Sequence, residues 1–263
     1  MNKYLTHPLA WFVFGLGFIL VTYLIVDQFD TTNEKLEQAY TSYKQGEQAK
    51  TISERQDAFN ASLAIYKNLE IQNTPTFGNG KIYYNIANNY YQLNQFPLAV
   101  LNYYRAQNLM PRDDKVKTNL DAALNKLGVK EDTKPSFFNR LSLPEKLQIF
   151  VLLTFFLFIA AILWIFYPFH GLQLLIAALS ATLLVLLCNL FYLQFVTPSY
   201  AVILKANLLY KDAGLHYAKV LDTPISPGTK VEVLNVLPGG RWLKISLSDG
   251  TVGFIPYDSL EII

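Results

Sequence analysis

A long stretch without charge constrains the fold of this chain most. Between Leu147 and Leu204 there is no Asp, Glu, Lys or Arg. Pro168 and Gly171 break this stretch into two segments of roughly 20 and about 25 residues, and each is long enough to cross a bilayer as a helix. The pattern predicts a two-helix transmembrane hairpin over residues 147–196. Both ends of a hairpin emerge on one side, so the regions before and after it should share a compartment.

A third apolar segment, Pro8 to Val26, lies near the N-terminus between a lysine and several acidic residues. It predicts a transmembrane anchor over residues 1–28, with export of the region that follows. A signal peptide is the alternative, although its apolar region would be shorter and would end in small residues. Arg140 and Lys146 beside the hairpin favour the opposite orientation. We expect the soluble regions in the periplasm, because the first segment usually dominates orientation.

Composition agrees with a membrane protein that carries soluble regions. Only 16% of the residues are charged, against roughly 25% in soluble domains. The 22 basic and 20 acidic residues are well mixed, so the basic surface needed to bind nucleic acid is missing. One cysteine, Cys188, and three isolated histidines supply neither a Cys–His nucleophile pair nor a zinc site. The sequence therefore predicts no catalytic residue, no metal and no cofactor.

Residues 80–113 alternate large aromatic and small side chains at regular places and end in a proline. The diagnostic residues are Tyr83, Ile86, Ala87, Tyr90, Ala99, Tyr103, Ala106 and Pro111. This order resembles the 34-residue tetratricopeptide repeat (TPR), in which small residues of one helix accept large residues of its antiparallel partner. Most of these tyrosines are therefore expected in a helical core. Stacking on nucleic acid is disfavoured, since no basic groove accompanies the rings.

One repeat cannot bury its own apolar face, so neighbouring repeats are expected. Upstream, a degenerate helix pair is predicted, with Ser53 and Gln56 as a capping box between its helices. Ala39 and Gly46 mark its first helix, and Phe59, Ser62 and Tyr66 lie on its second. Downstream, a capping helix should end at Gly128. The prediction is a TPR helical array over residues 33–128, followed by a linker over residues 129–146.

A TPR array has a concave groove, and the resemblance places part of the first helix of the best repeat there. The candidate peptide-binding residues are Lys81, Tyr84, Asn88, Tyr91 and Gln92. Their amides and phenols suit the backbone of an extended peptide, and the lysine suits a carboxylate. A solvated polar face is the alternative interpretation.

After Pro198 the polarity alternates with a period of two, and Gly-containing turns separate four short segments. The pattern predicts a small all-β barrel over residues 198–263. Its landmarks are Gly228 before VEVL, the segment GRWLK, and the segment DGTVGFIPYDSL at the end. Their order resembles the bacterial SH3-type domain, with Gly-Phe-Ile in place of the usual Gly-Trp-Ile. The resemblance implies an aromatic-edged ligand groove, for which Tyr210, Trp242 and Tyr257 are the candidates.

The predicted whole is a multi-domain membrane protein with an α-helical TPR array, transmembrane helices and a C-terminal all-β SH3-like barrel. This order resembles the TPR-plus-SH3 membrane proteins of Bat (Bacteroides aerotolerance-type) operons. The resemblance implies a non-catalytic scaffold in the bacterial inner membrane, within an envelope-stress or aerotolerance-type complex. It also implies protein partners, namely von Willebrand A-domain membrane proteins and a MoxR-type ATPase system. The alternative is a cell-wall sensor whose SH3-type domain binds peptidoglycan peptides.

Overall fold

The computed structural model describes residues 32–72, 80–130 and 140–263. The predicted anchor over residues 1–28 lies outside these ranges. The described residues form seven helices and one antiparallel sheet. The chain divides into two compact units, Met1–Gln72 and Asn73–Ile263.

The described part of the first unit consists of helix α1, residues 32–48, and helix α2, Ile52–Gln72. Thr51 caps α2: its hydroxyl accepts a hydrogen bond from the Glu54 amide at 3.2 Å, and the Glu54 carboxylate accepts one from the Thr51 amide at 3.3 Å. The predicted capping box of Ser53 and Gln56 is therefore wrong, and Ser53 lies inside the helix. Thr51 offers the same capping chemistry two residues earlier, where the helix begins.

The residues predicted to mark α1, Ala39 and Gly46, contact α2. A Cβ at Gly46 would lie 2.8 Å from the Phe59 ring, so only glycine allows this approach. Buried Ser62 donates its hydroxyl to the carbonyl of Ala39 at 2.8 Å. Tyr66 is buried as well, and this burial raises the pKa of its phenol to about 12.

The second unit begins with three helices: α3 (Lys81–Gln92), α4 (Phe96–Leu109) and α5 (Asp114–Leu127). The large and small residues predicted to form a helical core between residues 80 and 113 are buried, as expected. The buried ones are Tyr83, Ile86, Ala87, Tyr90, Ala99, Tyr103 and Ala106. The predicted stop of α5 at Gly128 is also confirmed, since this glycine adopts the left-handed conformation with φ 67°.

Two apolar helices follow: α6 (Leu143–Phe166, 24 residues) and α7 (His170–Phe195, 26 residues). At 1.5 Å per residue each is at least about 36 Å long, enough to cross a hydrocarbon core of about 30 Å. Almost none of the side chains in their apolar windows are buried. A capping box of Ser142 and Glu145 starts α6, so this helix takes in the last residues of the predicted linker.

The C-terminal strands are β1 (Ser199–Ile203), β2 (Lys230–Val236), β3 (Trp242–Ser246), β4 (Val252–Pro256) and β5 (Leu260–Ile262). They form one antiparallel sheet in the order β4-β3-β2-β1-β5. The predicted glycine turns are confirmed by positive φ angles at Gly228, Gly239, Gly240 and Gly250. Apolar side chains on one face build the core, among them Ile203, Leu209, Leu243, Ile245 and Ile255.

The sheet is open, whereas the sequence predicts a closed barrel. β4 and β5 are its edge strands, and β5 has only three residues, which pair with β1. The free edge of β4 is covered at one residue, because Tyr210 exchanges two backbone hydrogen bonds with Phe254, at 2.9 and 2.8 Å. Proteins commonly shield edge strands in this way.

Helix α4 packs on the sheet, an arrangement that we call the α4–sheet contact. Arg105 donates from Nη2 to the Glu261 carboxylate at 2.7 Å and to the Ile262 carbonyl at 2.9 Å. The Lys230 ammonium lies over the ring of Tyr104, at 4.6 Å from its centroid. Helix α4 and the sheet are therefore in direct contact. The sequence predicts two separate modules and gives no sign of this contact.

Candidate functional site

The groove prediction places Tyr84 and Asn88 one helical turn apart on α3, and the structure brings both to α5. Asn88 Oδ1 accepts hydrogen bonds from the Tyr103 hydroxyl at 2.7 Å and from Asn119 Nδ2 at 3.1 Å. Asn119 Nδ2 also donates to the Tyr84 hydroxyl at 3.0 Å. These four residues, which we call the amide cluster, join helices α3, α4 and α5.

The amide cluster keeps free hydrogen-bonding capacity. Asn88 and Asn119 are half-buried, and within the described chain Asn88 Nδ2 and Asn119 Oδ1 have no hydrogen-bond partner. One donor and one acceptor therefore remain. A peptide group offers the complementary pair, one N–H and one C=O. The arrangement suits the backbone of an extended peptide.

The other predicted groove residues lie in different surroundings. Lys81 is exposed in the first turn of α3, and Tyr91 and Gln92 are half-buried in its last turn. The Tyr91 ring packs edge-on against Phe96 of α4, with centroids 5.3 Å apart. The sequence analysis does not single out Asn119, because its pattern predicts only a capping role for α5. The available signal is an amide at the edge of the apolar face of α5, three residues after Val116 and four before Ala123.

An aromatic surface lies on the face of the sheet opposite its core. Side chains alternate along a strand, so Trp242 of β3 points away from the core that Leu243 enters. Phe254 and Pro256 of β4 pair across from Lys244 and Trp242 and share their face. The ring of Tyr210 stands edge-on to Trp242, with centroids 5.7 Å apart and planes at 88°. We call Tyr210, Trp242, Phe254 and Pro256 the aromatic face.

Tyr257 adjoins this face and is the most accessible of the predicted SH3-type residues. Its side chain is 49% exposed. Its backbone amide donates to the Arg241 carbonyl at 2.9 Å, so it is held beside Trp242. Tyr210 is buried and supports Trp242 from behind, while Trp242 itself is half-buried. The structure thus brings the three predicted residues to one end of the sheet, and it adds Phe254 and Pro256.

Ring and amide groups make up most of both surfaces, and Lys244 adds a cation beside the aromatic face, 5.9 Å from the centroid of the Phe254 ring. On β1, away from the aromatic face along the sheet order, burial raises the pKa of the Tyr200 phenol, and the charge of Glu232 adds to the effect. In an exposed turn, hydrogen bonds from Thr251 lower the pKa of Asp249. Among the described residues, no three His, Cys, Asp or Glu side chains group closely enough to hold a metal ion.

No protein-family model matches this chain, and no curated protein matches it.

Proposed function

We propose that this protein is a non-catalytic scaffold, anchored in the membrane, that binds other proteins through the aromatic face and the amide cluster. The aromatic face carries the proposal. Half-buried Trp242, braced by Tyr210 and flanked by exposed Tyr257, offers rigid ring surface to a ligand. Aromatic residues of this kind dominate the energy of protein–protein contacts.

The hairpin supports the anchoring. α6 and α7 are long, apolar and exposed, as helices that contact lipid should be. Only three residues separate Phe195 at the end of α7 from Ser199 at the start of β1, so the sheet would stay at the bilayer surface. An ion pair between Arg112 and Glu145 ties the helical repeat to the first turn of α6. Both surfaces would then lie on the same side of the membrane. The charges around the first apolar segment favour the periplasmic side.

The assignment of a TPR unit, an SH3-type domain and a Bat-type complex rests on resemblance in sequence. The small-to-large packing of α3 and α4 supports a TPR unit, and the short antiparallel strands around one core support an SH3-type domain. A chain with both modules and a membrane hairpin would act in a Bat-type complex of the envelope. Its partners would be von Willebrand A-domain membrane proteins and a MoxR-type ATPase system.

Photocrosslinking in living cells tests the binding function. A photoreactive phenylalanine analogue at Tyr257 should crosslink to a membrane protein, which mass spectrometry would identify. Trp242→Ala should abolish this product. The same analogue at Asp249, on an exposed turn of the sheet, is the matched control and should give none.

Two results would contradict the scaffold. Crosslinks at Tyr257 to peptidoglycan peptides, with retention of the protein on purified cell wall, would establish the wall sensor instead. Equal crosslinking at Tyr257 and Asp249 would rule out the aromatic face as the binding surface.

The compartment is tested by labelling Asp249→Cys in a Cys188→Ser background with a membrane-impermeant thiol reagent. Labelling of intact cells is expected once any outer membrane has been opened.

A further inference from the structure

We propose that α7 joins two copies of this protein in the membrane, through a hydrogen bond between the Asn189 amides of the two copies. This inference depends on the transmembrane hairpin proposed above. It starts from an amide side chain in a mainly apolar helix, whose hydrogen-bonding groups the hairpin leaves unmatched.

Asn189 lies six residues before the end of α7, about 9 Å along the helix axis. Its side chain is half-buried and makes no hydrogen bond to any described residue. The threonines of the hairpin differ: Thr154 donates to the Phe150 carbonyl at 2.8 Å, and Thr182 to the Ala178 carbonyl at 2.9 Å. Asn189 is therefore an amide that the hairpin does not satisfy.

A rotation of the side chain does not remove this mismatch. Asn89 and Asn102 each donate to the carbonyl four residues earlier, both at 2.8 Å. If Asn189 donated to the Val185 carbonyl in the same way, its Oδ1 would still lack a donor. Lipid tails offer none, so the acceptor would remain unsatisfied in hydrocarbon.

A second copy of the chain meets the requirement. An asparagine amide carries both donors and an acceptor, so two such amides complement each other. Two copies inserted in the same orientation hold Asn189 at equal depth. A two-fold axis between them places the same residue of each copy at the centre of the contact.

The helix surface around Asn189 allows a close approach. Residues spaced alternately four and three positions apart share this surface. This is the spacing at which two α-helices pack in a left-handed supercoil. These residues are Gly171, Leu175, Ala178, Thr182, Val185 and Asn189. All but Asn189 are exposed. The hairpin therefore leaves most of this surface uncovered.

Cysteine crosslinking of the full chain in lipid bilayers tests the contact. In a Cys188→Ser background, Ala178→Cys and Val185→Cys should form disulfide-linked dimers on mild oxidation. Leu184→Cys is the matched control, since it lies about 140° around the helix from Asn189 and is also exposed. Crosslinking at 178 and 185 that does not exceed the yield at 184 would overturn the proposal.

Dilution of the protein in lipid, followed by energy transfer between labelled copies, measures the dimer constant. Asn189→Leu should weaken the dimer by roughly 3- to 30-fold, the range for hydrogen bonds between membrane helices. The dimer constant of Asn189→Gln, which keeps the amide, should stay near that of the natural protein. An unchanged constant for Asn189→Leu would refute the role of Asn189.

Alkaline extraction separates the two ways in which this proposal could fail. A protein that leaves the membrane at high pH would refute the transmembrane hairpin, and self-association through α7 would fall with it. A protein that stays in the membrane but forms no crosslinked dimer would refute self-association alone. The Asn189 amide would then be satisfied within one chain.

Discussion

Arg105→Ala should loosen the α4–sheet contact. The Arg105 side chain is only 21% exposed and makes two hydrogen bonds to the sheet, one to the Glu261 carboxylate and one to the Ile262 carbonyl. Alanine removes both bonds and the packing of the guanidinium near the Tyr83 ring, 5.9 Å from its centroid. Helix α4 itself should persist, because alanine has the highest helix propensity.

The exposure of Arg105 and Glu261 sets how much docking free energy Arg105→Ala should lose. Glu261 is 47% exposed, so solvent screens the ion pair and limits it to about 0.5–1 kcal/mol. The bond to the Ile262 carbonyl has a charged donor and contributes about 1.5 kcal/mol. Together they amount to about 2 kcal/mol, which lowers the ratio of docked to undocked molecules about 30-fold.

Distances between spin labels measure this ratio in the full chain, reconstituted in lipid. In a Cys188→Ser background, labels at Lys126→Cys in α5 and Asp249→Cys in the β3–β4 turn occupy exposed positions on the two sides of the contact. We expect one narrow distance distribution for the natural Arg105 and a second, broader population for Arg105→Ala.

Two further variants sharpen the interpretation. Arg241→Ala removes an exposed arginine of the sheet that makes no ion pair among the described residues, and it should leave the distribution unchanged. Glu261→Gln keeps an acceptor but loses the charge, so its effect should be smaller than that of Arg105→Ala. The reasoning fails if Arg105→Ala gives the same distribution as Arg241→Ala.

Three other changes test the packing. Gly253→Ala should lower the free energy of unfolding of the sheet by about 1–3 kcal/mol, since its Cβ would lie 2.5 Å from Leu209 Cγ; thermal unfolding followed by tryptophan fluorescence measures this loss. Tyr103→Phe removes the hydroxyl that donates to Asn88 and should cost about 1 kcal/mol, again measured by thermal unfolding; no loss would mean that the amide cluster adds no stability. The pKa of Tyr66 is raised to about 12, so the stability it provides should be complete below pH about 10, the pKa of a free phenol, and should be lost as pH rises through 12. The difference in ultraviolet absorbance between the natural protein and Tyr66→Phe reports this ionisation, and a transition near pH 10 would contradict it.

Features that depend on local spacing could be predicted from the sequence. The packing of Ala87 and Ala106 with Tyr83 and Tyr103 follows from residues close together in the chain, because helix periodicity decides which of them share a face. The two apolar helices could be predicted from the uncharged stretch. The end of α5 at Gly128 could be predicted because this glycine directly follows a segment with helical periodicity. The exact start of a helix is less determined. Thr51 and Ser53 both suit a cap, and only the backbone decides between them.

Features that depend on distant residues could not be predicted. Arg105 and Glu261 are separated by 156 positions, and nothing in either local segment indicates that they pair. The openness of the sheet has the same origin, since closure requires pairing between β4 and β5, and strand patterns do not encode it. The amide cluster could be predicted only in part. Tyr84 and Asn88 could be placed on one face of a helix from their spacing, but their contact with Asn119 of α5 could not be predicted.

The α4–sheet contact changes how the two candidate surfaces would bind. Sites joined by a flexible linker can adopt many spacings, so they accept partners of many shapes. Here Arg105 and Lys230 hold the repeat to the sheet, so a partner that occupies both the amide cluster and the aromatic face must match one spacing. Such a partner should bind Arg105→Ala more weakly, although no residue of either surface has changed. A partner that uses only the aromatic face should bind this variant as well as the natural protein.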